Sequence, residues 1–463
     1  MTKTITENKM GVMPEGKLLI NMALPLIISM LVQALYNIVD SFYVAKISTS
    51  ALTTLGLAFP IQNLQIGFAT GVGVGVNALL SRALGENKRD RASHVAGNGI
   101  FLTTVTTVLF MLFGFFGARP FFEMQSDVAE TVEGGTAYVS ICCIWIAGIM
   151  FEVLFERMLQ SSGRTIYTLF TQGTGAVLNI ILDPVFIFGV PVLGIPSMGI
   201  AGAAIATVIG QWTAALLALF FNIKCNPDVT FRLSYIFPKW EIVKDILAIG
   251  IPSAIMMAVG AVMNFSINSI LQGFSETATG IFGIYYKLQS FFFMPIFGLN
   301  NASISIVAYN YGYRKPKRII RTLVLCCAIA FSVMMAGLAA FQFAPDLLLS
   351  LFEPSDPLEH EEFYRIGIGA LRTISWSFPI AAFCIALSSS FQALGNGMYS
   401  TIVSICRQLL ALLPAAYLLS LTGEVINVWW AFPIAEIISL LATAVLFIRI
   451  YRKKIRPLHH AEV

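Results

Sequence analysis

Residues 25–91 return, without a gap, as residues 252–318, and no other feature restricts the fold of this chain as strongly. At a fixed offset of 227, Pro25 pairs with Pro252, Asn37 with Asn264, Gly71 with Gly298 and Gly85 with Gly312. Lys88 with Lys315 and Arg91 with Arg318 extend a set of fourteen identities over the 67 paired positions. An ungapped repeat of this length implies two copies of one unit that fold alike and pack on each other. In an apolar chain, such copies build two homologous bundles around a shared path, a plan used by many transporters.

The solvent follows from composition. The chain is 57% hydrophobic and 12% charged, where soluble domains average about 25% charged. Its mean hydropathy of +0.78 is incompatible with a water-exposed surface. A spanning helix needs about 20 mostly apolar residues. Twelve such stretches run near 18–43, 52–81, 93–117, 132–158, 165–190, 197–222, 245–271, 279–308, 319–343, 363–390, 399–421 and 426–450. The fold class expected is therefore an all-α integral membrane protein, with twelve transmembrane helices in two pseudo-symmetric six-helix bundles. An even number of spans per copy gives both copies the same orientation, related by an axis along the membrane normal. The polar stretch at mid-chain divides an N-lobe (1–222, spans 1–6) from a C-lobe (245–451, spans 7–12). Residues 223–244 form the inter-lobe loop and 452–463 a tail.

Lys and Arg set the orientation. The N-terminal tail, the loops around 82–91, 164, 224–244 and 314–321, and the segment 449–456 hold most of the 29 basic residues. All of them fall on one side if twelve spans alternate. The other side carries Glu123, Asp127, Glu130 and Glu133 after span 3, and Glu353, Asp356, Glu359, Glu361 and Glu362 after span 9. A multi-pass cell-membrane protein with both termini cytoplasmic is expected. The first apolar run opens directly into a full span, so no cleavable signal is expected.

Several function classes are excluded by what the residues lack. The seven cysteines are scattered and make no disulfide framework. His94, His360, His459 and His460 have no metal-ligand spacing within the membrane. No P-loop and no Ser/His pair stands out. Neither an enzyme nor a cofactor is expected, and neither a nucleotide nor a nucleic acid as partner; the net charge of +4 reflects topology.

Ionisable groups inside spans are costly and ordinarily face a cavity or a partner. The candidates are Asp40, Glu152, Glu156, Arg157, Asp183, Lys287, Arg372, Arg407 and Glu436. Asn179 precedes Asp183 by one helical turn, so their side chains share a face. Together they offer several hard oxygen ligands to a small cation, and Asp40 adds two more; a proton on a buried carboxylate is equally compatible. Glu152, Glu156 and Arg157 read either as a structural ion pair or as an acidic wall for cationic substrate. Lys287 is placed mid-span, as gate or counter-charge, and Glu436 at a cavity position like Gln211. Arg372 and Arg407 are expected near span ends. Pro25 and Pro252 recur at matched positions, which favours a mechanical role over simple tolerance of proline in membrane helices.

At these residues the chain resembles the multidrug and toxic compound extrusion (MATE) family. The matching segments are Leu24-Pro25-Leu26, Leu35-Tyr36-Asn37-Ile38-Val39-Asp40-Ser41 and Asn179-Ile180-Ile181-Leu182-Asp183-Pro184. Met198 to Thr207 and Tyr309-Asn310-Tyr311-Gly312 continue the resemblance, which is closest to the bacterial MepA-like branch. It implies a V-shaped monomeric antiporter exchanging amphipathic, often cationic, compounds for Na+ or H+ by alternating access. Asp40, Asn179, Asp183 and Thr207 match the family's N-lobe cation site, and would be the metal ligands if the ion is Na+. The backbone of Ala203 stands beside them, and Pro25 is the hinge. The C-lobe acids used by some members on spans 7 and 10 are absent. A lipid-linked precursor flippase of the same superfamily is the alternative.

Overall fold

The computed structural model describes residues 8–47, 49–191, 194–352 and 360–460. Among them, ten helices are each long and apolar enough to cross a membrane. Two bent helix pairs complete the expected twelve. In chain order, spans 1 to 6 are Glu15–Ala45, Thr49–Gly85, Arg89–Phe116, Ala129–Ile144 with Ala147–Ser161, Thr165–Phe188 and Gly199–Cys225. Spans 7 to 12 are Trp240–Gln272, Glu276–Gly312, Pro316–Phe343, His360–Ser375 with Phe378–Ala393, Gly397–Ser420 and Val425–Leu458. The acids Glu353, Asp356 and Glu359, and the side chains of Asn37, His459 and His460, lie outside the described residues.

The repeat extends to the backbone. Spans 2 and 8 each have 37 residues, spans 3 and 9 each 28, and spans 5 and 11 each 24. The turns that follow spans 2 and 8 place Asn87 and Arg314, which are 227 apart, at the same left-handed φ of 58°. Spans 4 and 10 both break, at Trp145-Ile146 and at Trp376-Ser377, with bends of 43° and 47°.

Helix packing shows the symmetry and the shape. Span 1 lies along span 8 and span 2 along span 7, the exchange that a two-fold axis requires. Gly71 and Gly250 face each other so closely that a Cβ on Gly71 would lie 2.6 Å from the Gly250 carbonyl oxygen. Small residues permit such backbone contact between membrane helices. One turn towards the basic loops, a Cβ on Gly75 would lie 2.5 Å from the Ile246 carbonyl. One turn the other way, the clearance from Gly67 to Ala254 widens to 3.8 Å, and further along Phe59 and Val262 are 59% and 52% exposed. The pair therefore touches at one end and splays at the other. At the touching end, a Cβ on Gly85 would strike the Tyr309 carbonyl, and one on Gly312 would strike the Arg82 carbonyl. Both glycines and both obstacles are 227 apart, so this contact sits on the pseudo-two-fold axis.

The basic segments gather at the closed end. Asp228 bridges Arg89 (3.6 Å) and Arg164 (3.7 Å), Arg91 reaches Asp245 (3.9 Å) and Arg318 reaches Glu15 (3.5 Å). A short helix, Lys9–Val12, lies across this face, where Arg318 donates to the Met13 carbonyl and Asn310 to that of Met10. Two element boundaries differ from expectation. Span 7 starts at Trp240 rather than near 245, because Asn98 of span 3 accepts the Lys239 backbone N–H at 2.7 Å and fixes its entry. The segment after 451 continues as helix to His460, held by the buried Ile455 and by Lys454, which donates to the Leu394 carbonyl.

Candidate functional site

Between the splayed halves lies a cavity of about 520 Å³. Spans 1, 2, 4, 5 and 6 line one side of it, and spans 7, 8, 10 and 11 the other. Met30, Met256, Met257, Met294 and Phe297 supply a soft apolar surface, and Met30 and Met257 are a repeat pair. Methionine's flexible thioether repacks around differently shaped ligands. Polar groups are set among them. Glu152 has no hydrogen-bond or ion-pair partner among the described residues and faces the cavity. Glu156 is buried and accepts from Thr171 Oγ1 at 2.6 Å and Gln172 Nε2 at 2.8 Å. Arg157, also lining the cavity, donates instead to Gln160 Oε1 at 3.0 Å. The Glu156–Arg157 ion pair is thus replaced by hydrogen bonds to span 5, because adjacent residues on a helix point in different directions.

Spans 1, 5 and 6 bring the oxygen cluster to the cavity, with Asn179 and Thr207 on its wall and Asp40 and Asp183 off the lining. Asp183 is fully buried and Asn179 nearly so. Asn179 Nδ2 donates to Asp183 Oδ1 at 3.3 Å and to Thr207 Oγ1 at 3.2 Å. Ala203 is buried one turn before Thr207 on the same helix. Asp40 lies on span 1, which packs along span 5, and Tyr36, one turn before it, lines the cavity. Spans 1 and 5 therefore meet, which spacing within either span cannot show. Asp40 Oδ1, Asn179 Oδ1 and Asp183 Oδ2 are all buried with no hydrogen-bond partner. Buried acceptors without donors are costly. Three such acceptors lie on the packed spans 1 and 5, and hard oxygens of this kind are the ligands that small cations take.

The family model described as MatE matches residues 25–185 and again residues 252–418, so its two matches begin 227 residues apart, at Pro25 and Pro252. The chain belongs to the MatE family. The multidrug export protein MepA of Staphylococcus saprophyticus is 24% identical over 442 residues, covering 94% of each chain. The FAD transporter of Shewanella oneidensis is 26% identical over 436 residues, covering 92% of each. A crystal structure of MATE in complex with MaL6 superposes with a TM-score of 0.90 at 26% identity, over 99% of this chain and 100% of that one.

In this MatE protein the remaining candidates fall in different places. Gln211 lines the cavity. Glu436 does not; it stands one layer behind, 3.4 Å from Arg407 Nη1, and its other carboxylate oxygen is buried without a partner. Arg407 itself lines the cavity near the middle of span 11 rather than at an end. It belongs to a π-helical segment, Cys406–Leu412, preceding Pro414. Such wide turns recur at functional sites. Lys287 is outside the cavity lining: it is exposed, with Nζ 5.9 Å from the Phe352 ring centroid. Span 8 begins at Glu276, about three turns before Lys287. Arg372 is exposed in the last turn before the span 10 break. Pro25 is buried in an unbroken helix, and its carbonyl accepts from Ser29 Oγ at 2.9 Å. Thr171 and Gln172, which bond Glu156, and Tyr36, which lines the cavity, had no place among the sequence candidates; the span 4–span 5 contact that recruits the first two has no local signature.

Proposed function

We propose that this protein is a monomeric secondary antiporter of the cell membrane that expels amphipathic, cationic compounds in exchange for Na+ or H+. The observation that carries the reading is the set of buried, unpartnered oxygens of Asp40, Asn179 and Asp183 on the packed spans 1 and 5, at a Met-lined cavity whose wall includes Asn179. Relatives at similar distance are named for multidrug export and for FAD transport. The uncompensated Glu152 on the cavity wall favours cationic cargo.

With the basic side cytoplasmic, the cavity opens outward. A cation entering from outside settles on Asp183, Asp40, Asn179 and Thr207 and neutralises their charge. Span 1 then repacks near Pro25, the cavity wall changes shape and the drug leaves to the outside. The return step exposes the cavity to the cytoplasm after the Gly85–Gly312 contact separates. Coupling requires that cation and drug favour different states, since a ligand of equal affinity for both shifts neither.

Purified protein in liposomes, loaded with a fluorescent cation and given separate Na+ and pH gradients, tests this. Either Asp40→Asn or Asp183→Asn should abolish gradient-driven efflux while the protein still inserts. Efflux at the wild-type rate in both variants, at matched protein, would remove the cluster from the mechanism.

A further inference from the structure

The cavity wall carries two guanidiniums: Arg157, buried beside Glu156 and donating to Gln160, and Arg407 on the opposite side, which the exchange mechanism leaves without a role. Span 5 lines the cavity with Gln172, Gly175 and Ala176, and span 11 with Ser404, Arg407 and Gln408, at the same spacing of three and one. Where span 5 presents a glycine, span 11 presents a guanidinium. That guanidinium makes a single hydrogen bond to the protein among the described residues, a 3.4 Å contact from Nη1 to Glu436. An arginine carries five donors, arranged to grip a carboxylate with two of them. Here the pairing with Glu436 is long and one-point, and Arg407 remains 28% exposed towards the cavity. Gln408 beside it, also on the lining, donates to Ser404 at 2.8 Å, which leaves the arginine as the charged group of this span open to the cavity.

We propose that Arg407 is an anion-recognition point. With Glu152 receiving the cationic group, it selects zwitterionic amphiphiles, those bearing a carboxylate beside their positive charge, over matched pure cations. This rests on the export reading above and deepens it by naming the substrate class. The uncompensated carboxylate of Glu152 and the half-free guanidinium of Arg407 share one chamber of about 520 Å³, large enough for a drug-sized molecule to touch both. Glu436, off the cavity lining, partly offsets the positive charge of the arginine without occupying its cavity face, so a bound carboxylate can still be released.

A rhodamine free acid, which is a zwitterion, and its ethyl ester, which is a cation, differ at the group in question. Binding of each is read by fluorescence anisotropy in nanodiscs, and export of each in liposomes. In wild-type protein the acid should bind more tightly than the ester. In Arg407→Gln the preference should fall roughly tenfold, the scale of one hydrogen bond to a charged group, and Arg407→Lys should recover part of it. An unchanged acid-to-ester ratio in Arg407→Gln would overturn the proposal. If that variant fails to fold because Glu436 is left uncompensated, the double variant with Glu436→Gln is read for the same ratio. Binding selectivity without export of either dye would retain the anion point and reject the export reading; export without selectivity would do the reverse.

Discussion

Asp183 accepts one hydrogen bond, from Asn179, and its second oxygen, like Asp40 Oδ1, meets no donor. Glu86, in the turn after span 2, has the opposite surroundings: Lys88 Nζ at 2.9 Å, Arg82 Nε at 3.0 Å and Arg91 Nη1 at 3.9 Å. Burial by itself would raise the Glu86 carboxyl, but the hydrogen bonds from Lys88 and Arg82 outweigh it and hold the group below its ordinary value of 4.5. A carboxyl held low stabilises the fold above that ordinary value, and the contribution is lost as pH falls through its lower folded value. Glu86→Gln should therefore lower thermal stability at pH 7, by at most ~1 kcal/mol for so accessible a cluster. The gap between variant and wild type should close as the pH drops below the carboxyl range, as followed by melting in detergent across pH. The acids were legible in the sequence as intramembrane charges. Their partners were not, because Thr171 and Gln172 reach Glu156 from another helix.

At the scale of elements, the glycines of the repeat separate into two kinds. Gly85 and Gly312 sit where a side chain would strike the opposing backbone. Gly56 and Gly283, also a repeat pair, face open space, with nothing within 4 Å of where a Cβ would stand. Gly312→Val should cost about 1–3 kcal/mol through overpacking. Gly283→Ala should be neutral or stabilising, since it removes a flexible residue from a helix interior. Thermal unfolding of both variants in the same detergent checks the contrast, and similar melting temperatures would contradict the packing argument. The helix breaks divide in the same way. Pro379 sits in the first turn after the span 10 break, a position proline favours. The span 4 break at Trp145-Ile146 contains no proline and carries no such signal. Arg407 lies in the π-helical segment near the middle of span 11 and reaches the cavity from there, although the apolar run suggested a place nearer an end.

For the whole molecule, the two-fold axis passes through the closed end and the charges do not obey it. Asp40 has Ile267 as its repeat partner, fully buried in apolar contact. The first half holds the oxygen cluster and the second holds Arg407, so the duplicated scaffold bears two different chemistries around one cavity. If alternating access separates the closed end, linking it should stop transport. Cysteines replacing Glu86 and Tyr313, equivalent positions flanking the Gly85–Gly312 contact, should abolish efflux when bridged by a bis-maleimide. Each single-cysteine variant should remain active under the same reagent. Undiminished efflux after complete cross-linking would show that this contact stays shut throughout the cycle.

The amino-acid sequence by itself determined the solvent, the twelve spans and the duplication, since these are properties of composition, run length and self-similarity along one dimension. It also marked Asp40, Asn179 and Asp183, because polar groups in apolar runs stand out without knowledge of their neighbours, and the family resemblance added Thr207. Only the tertiary structure decided that spans 1, 5 and 6 converge on those residues, that Lys287 lies outside the cavity and that Arg407 lies on its wall. The physical reason is that a helix's rotation about its own axis is set by the helices packed against it. A bend, a π-turn or a glycine contact between neighbouring spans alters that rotation while leaving the hydropathy of the segment unchanged.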